Sequence, residues 1–181
     1  NDGANLSLFG GDHASLADIV RFRSSGTETL RIDASGSVGI GVVPEAWGSN
    51  ADAIQLGNTG MLFGQNNANV FTTGSNFYWD NTNYKRINAD LPSRHVQFQG
   101  EHIFGHAVSG SADTNISWLE SMRINSSGNV GIGNAVTDNW RLEVSGTRVS
   151  SGGGYAVAAF RDTSAYNVTD NGAGITFQGI Y

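Results

Sequence analysis

Cysteine is absent, so neither a disulfide framework nor a thiolate metal site can form, and the redox compartment leaves no mark on the sequence. Charge is scarce: Asp, Glu, Lys and Arg make up 14% of the 181 residues, against a typical quarter. The 10 Lys and Arg residues form no cluster, and the net charge is −6, so the chain is poorly equipped to displace counterions from a phosphate backbone. Nucleic acid is not an expected partner. No run of about 18 apolar residues occurs, which excludes a membrane-spanning helix, and no membrane insertion is expected. The first residues, Asn1-Asp2-Gly3-Ala4-Asn5, carry no initiator Met, basic start or apolar run, and read as the interior of a longer chain. Hydrophobic residues reach only 39%, and much of that is Ala among turns. The missing apolar burial is expected from other chains.

Glycine, at 25 residues, is about twice as frequent as usual, and it falls in a pattern. Glu28-Thr29-Leu30-Arg31-Ile32-Asp33-Ala34-Ser35-Gly36-Ser37-Val38-Gly39-Ile40-Gly41 returns 92 residues later as Glu120-Ser121-Met122-Arg123-Ile124-Asn125-Ser126-Ser127-Gly128-Asn129-Val130-Gly131-Ile132-Gly133, with nine of fourteen positions identical. Self-similarity of this kind marks an array of supersecondary units. Around the first copy, Ile19–Arg23, Thr27–Ile32 and Ser37–Gly41 alternate in polarity and are separated by Ser-Gly loops, which predicts a three-stranded β-meander. Period-two alternation sets Leu30 and Ile32 on one side and Arg31 and Asp33 on the other. It also sets Val38 and Ile40 opposite Gly39 and Gly41. The paired glycines imply either a close approach by another backbone or a bend leaving the hairpin. Each unit then closes with a Trp-containing connection, Val43–Trp47 or Ala135–Trp140, and a final strand.

The segments Arg31–Gly41 and Met122–Gly133 resemble the repeats of bacteriophage tail fibres and tail spikes, in which Arg-Ile-Asp, a Ser-Gly turn and Asn-Val-Gly-Ile-Gly recur in that order, often upstream of a self-cleaving chaperone domain. The family's connection Pro is present as Pro44 in the first copy, whereas Thr137 stands in the second. The resemblance implies an all-β, elongated homotrimeric fibre of repeated β-meanders, extracellular in the virion. Its partners would be other tail proteins and a host-cell surface polysaccharide or protein. Arg31, Ile32, Gly36, Gly39, Gly41, Arg123, Ile124, Gly128, Gly131 and Gly133 would be its structural repeat positions. The domain reading is unit 1 at 1–60, an aromatic-rich β insertion at 61–115, unit 2 at 116–148 and the start of a third unit at 149–181.

Between the copies, Met61–Phe63, Asn69–Thr72, Phe77–Trp79, Tyr84–Ile87, Val96–Gln99 and Ile103–Phe104 are short strand candidates. Tyr78, Trp79 and Tyr84 either stack on sugar faces of a receptor or fill a β core. Asp80, Asp90 and Glu101 lie near them, but nothing in their spacing identifies an acid and a nucleophile for glycan cleavage. On a strand spanning 102–106, His102, Phe104 and His106 share a face, and with His95 they invite comparison with a metal site on a trimer axis. The absence of a carboxylate pair favours ordinary surface or packed histidines. Glu28 and Arg31, like Glu120 and Arg123, stand three apart on a strand and are expected on opposite faces, each pairing with a neighbouring strand or chain. Gly39-Ile40-Gly41 lacks the third glycine and following helix of a dinucleotide site, and no cofactor or metal is expected. The resulting expectation is a non-catalytic structural segment engaged in host attachment. A glycan-degrading tailspike and a trimeric bacterial adhesin are the alternatives, the latter disfavoured because its short head repeats recur far more closely than 92 residues apart.

Overall fold

A computed structural model of the chain describes residues 3–12, 17–66, 68–133 and 141–145. The Ala135–Trp140 connection and the third unit at 149–181 lie outside the described residues. Within them the fold is all-β. Unit 1 supplies β1 (Asn5–Phe9), β2 (Ile19–Ser24), β3 (Thr27–Ile32), β4 (Val38–Ile40) and β5 (Ala51–Leu56). The middle supplies β6 (Gly60–Gln65), β7 (Val70–Ser75), β8 (Phe77–Trp79), β9 (Tyr84–Arg86), β10 (Ser93–Phe98) and β11 (Glu101–His106). Every strand candidate read between the copies overlaps a strand, with Asn69, Ile87 and Gln99 falling one residue outside theirs. Unit 2 supplies β12 (Leu119–Ile124), β13 (Val130–Ile132) and β14 (Leu142–Val144).

Twelve of these strands form one sheet in chain order, interrupted only by β8 and β9, which pair with each other as a separate hairpin. Neighbours are antiparallel except at β4–β5 and β13–β14, the same junction in each repeat. A parallel pair cannot be closed by a tight turn, so the chain must cross over a face of the sheet. In unit 1 that crossover carries Trp47, which is 5% exposed and packs on the sheet.

The repeat builds the same local structure twice. Asp33 Oδ1 accepts hydrogen bonds from the backbone N–H groups of Ser35 (3.0 Å) and Ser37 (2.9 Å), and Asn125 Oδ1 accepts from Ser127 (3.1 Å) and Asn129 (2.9 Å). These Asx turns need a left-handed residue, supplied by Gly36 at φ 88° and Gly128 at φ 79°. Both readings of the later glycines hold, one for each glycine. A side chain at Gly39 would strike the Val42 carbonyl and Pro44 Cδ, the latter at 2.8 Å, where the crossover returns over it. Gly41 at φ 70° and Gly133 at φ 78° make the bend, and their N–H groups bond the carbonyls of Thr29 (3.0 Å) and Ser121 (2.9 Å).

One expectation is corrected. Glu28 and Arg31 share a face, as do Glu120 and Arg123, because each strand carries a β-bulge between them. The register shifts so that Arg23 faces Glu28 while Phe22 faces Leu30, leaving Thr29 as the extra residue; Ser121 is its counterpart in β12. One inserted residue turns a three-residue spacing into a same-face spacing. The cross-strand partners that were expected are also present, with Arg21 Nη1 3.6 Å from Glu28 and Arg123 Nη1 bonded to Glu101.

Candidate functional site

Apart from the one-residue bulges in β3 and β12, the registers carry one alternation across the twelve strands, so the sheet has two chemically distinct faces. One face holds Arg21, Arg23, Arg31, Arg94 and Arg123 together with Glu28, Glu101, Glu120 and Glu143. It also holds the buried residues Ala51, Ala53, Gln55, Met61, Phe63, Thr72 and Val96, and is covered in its middle by the crossover and the β8–β9 hairpin. Phe77 of the hairpin stands edge-on to Phe63 (6.1 Å between centroids) and to Trp118 (5.0 Å). The Arg94 guanidinium lies 4.2 Å from the Trp118 ring centroid and 5.1 Å from that of Tyr84.

The opposite face is open. One row across it reads Leu8, Val20, Ile32, Val38, Ile54, Leu62, Thr73, His95, Phe104, Met122, Ile132 and Val144. Phe22, Leu30, Ile40 and Leu56 flank it on one side, and Phe71, Ile124, Val130 and Leu142 on the other. None of these side chains is buried. Phe22, Ile40, Ile54, Leu56 and Phe71 keep 41–45% of their surface exposed, and Leu8 71%. Asp52 is the one Asp, Glu, Lys or Arg among the paired strand positions of this face. A monomeric antiparallel sheet ordinarily presents its polar face to water and buries the apolar one. Here the charged face is the partly covered one.

The histidines sit on this open face. β11 does run through 102–106, and His102, Phe104 and His106 share a side as alternation required. His95 Nε2 lies 3.2 Å from His102 Nδ1, the His95 ring stacks on Phe104 at 4.5 Å, and His106 Nδ1 is 2.8 Å from Ser121 Oγ. Burial, with the charge of His102 second, lowers the His95 pKa below its ordinary value. Among the described residues no group of three or more His, Asp or Glu is placed to hold a metal ion.

Of the two readings of Tyr78, Trp79 and Tyr84, core filling is the one their placement supports. Tyr78 is 7% exposed, and Trp79 and Tyr84 pack against the core cluster with their rings 4.8 Å apart. Burial, and then a 2.9 Å hydrogen bond donated to Asp113, push the Tyr78 phenol up to about 12. The carboxylates considered for glycan cleavage have other partners. Asp80 accepts from the N–H groups of Asn83 and Thr82, which hold its pKa low, and lies 3.5 Å from Lys85. Asp90 accepts from Leu91 N–H at 2.7 Å, and Glu101 pairs with Arg123.

Sequence reasoning missed Arg86, 5% exposed, which donates to Thr114 Oγ1 (3.0 Å) and to the carbonyls of Asn115 and Val108 (both 2.8 Å), tying the 107–116 segment to the hairpin. It also missed Glu45, whose carboxyl is raised by burial and then by the charge of Asp113. Neither lies in the repeated motif or carries a local signature. At the rim of the open face, Asn66, Asn69, Gln97, Gln99 and Glu101 line a shallow, amide-rich groove of about 570 Å³ beside two turns. A scan against family models finds no matching family, and no curated protein matches the sequence.

Proposed function

We propose that this chain is a structural, non-catalytic segment of a phage tail fibre, homotrimeric and carried on the virion, that takes part in attachment to the host cell. The observation that carries this reading is the module built twice at the same positions: bulge, Glu–Arg pair, Asx turn, Gly bend and parallel closing strand. A device repeated with its geometry intact serves assembly, since a catalytic site has no reason to recur at both ends of one sheet. The ion-paired or turn-capping roles of Asp80, Asp90 and Glu101 favour it over a glycan hydrolase. Host contact belongs to the unrepeated turns, where amide groups match the hydroxyls of a polysaccharide and three copies would add weak contacts as avidity.

Sedimentation equilibrium together with incubation on host surface polysaccharide tests the reading. A mass of three chains and no released oligosaccharide is the expected result. Release of oligosaccharides would overturn the structural assignment in favour of a depolymerase, and a monomer at every concentration would remove the fibre itself.

A further inference from the structure

We infer that the open apolar face of the twelve-stranded sheet is the surface on which copies of this chain pack against one another, with the row through Ile32, Ile54, Leu62 and Phe104 at its centre. The inference rests on the oligomeric reading above and adds which surface carries it.

Three observations converge on a second copy as the occupant. The first is size. Twelve strands about 4.8 Å apart, with strands of up to six residues, give a face of roughly 1,000 Å², and a stable interface takes about 800 Å² from each partner. The second is charge. Asp52 is the lone Asp, Glu, Lys or Arg among the paired positions of this face, so no charge pattern exists to select a partner of opposite sign. Nine arginines and glutamates of the same strands all lie on the other face. The third is periodicity. Leu30, Ile32, Val38 and Ile40 at one end return as Met122, Ile124, Val130 and Ile132 at the other, in equivalent registers. Surface apolar residues kept in register by a repeat fit an equally repeated surface, which another copy of the chain provides. Among the described residues the buried hydrophobic cluster is confined to the middle strands, the crossover and the β8–β9 hairpin, so the two ends of the sheet have little apolar packing other than this face.

The test compares the wild-type protein with the double variant Ile54→Lys/Phe104→Lys, whose sites are 41% and 39% exposed in the single chain and so tolerate charge without loss of the fold. Leu91→Lys, at a 61% exposed loop position off the sheet, is the control. The expected result is an oligomeric wild type and control, and a double variant that sediments as a monomer with its β-sheet circular dichroism retained. Because the chain has no cysteine, Ile54→Cys and Leu91→Cys each provide a unique thiol. In the assembled protein maleimide should modify position 54 at least about tenfold more slowly than position 91. An oligomeric double variant with fast labelling at 54 overturns the assignment of the face and leaves the oligomeric reading standing. A wild type that is monomeric overturns both, and its co-sedimentation with phosphatidylcholine vesicles would give the face to lipid instead.

Discussion

Arg31 Nε donates to Glu28 Oε1 at 2.6 Å within a single strand, because the bulge at Thr29 places the two side chains on one face. The hydrogen bond to Arg31 holds the Glu28 carboxyl below the ordinary carboxylate range, against a smaller opposing effect of burial. A carboxylate whose pKa is depressed in the folded state contributes stability that is present above its unfolded value and is lost as pH falls through the folded value. The pair should therefore contribute about 1 kcal/mol at neutral pH and nothing in strong acid. Glu28→Gln is expected to lower stability by that amount at pH 7 and to converge with the wild type in strong acid, measured by urea unfolding across pH.

How much of this was legible follows from what each signal encodes. Alternation gave the faces of Leu30, Ile32, Val38 and Ile40 correctly because it reports the pleat directly. The same rule put Glu28 and Arg31 on opposite faces, since a bulge changes parity without leaving a residue type that marks it. The Asx turns were readable as Ser-Gly loops because left-handed backbone demands glycine at Gly36 and Gly128. The β8–β9 hairpin was readable as strands but not as a lid, because Tyr78 and Trp79 look alike in sequence whether a ring lies in a core or against a sugar. The exposed row through Ile54 and Phe104 was invisible until registers joined strands far apart in the chain.

The repeat glycines should differ in cost according to what surrounds them. A side chain at Gly36 meets open space, so Gly36→Ala suffers only the left-handed backbone penalty of about 1 kcal/mol. At Gly39 the obstacle is backbone, the Val42 carbonyl, together with the Pro44 ring. Gly39→Ala is expected to cost roughly 2–3 kcal/mol, since neither neighbour can rotate away. Thermal melts at one protein concentration should show the larger loss at Gly39, and an equal loss at the two positions would contradict the close approach.

Arg86 is nearly buried and its guanidinium fork spans three acceptors on the 107–116 segment. Arg86→Ala leaves the Asn115 and Val108 carbonyls without this donor and should cost roughly 3 kcal/mol. Arg86→Lys retains the charge but loses the planar fork, so an intermediate loss is expected. Hydrogen exchange is the discriminating measurement, because protection at Thr114 and Ile116, whose N–H groups bond Ser111 and Tyr84, should fall before that of β5 and β6.

Acid should loosen the assembly through the open face. His95 and His102 lie within 3.2 Å of each other there, with Thr73, Gln97, Phe104 and Ile124 as strand partners and no acidic or basic side chain paired opposite them. The His95 pKa is already lowered in the single chain by burial and by His102. A histidine with a depressed folded pKa stabilises the fold above its unfolded value, and that contribution is lost as pH falls through both values. Packing copies against this face removes more water from the His95 imidazole and steepens the effect. Sedimentation from about pH 8 to pH 5 should show dissociation beginning near pH 6. The double variant His95→Gln/His102→Gln should lose that dependence while keeping its mass at pH 8, and an unchanged acid profile in it would place the titrating groups elsewhere.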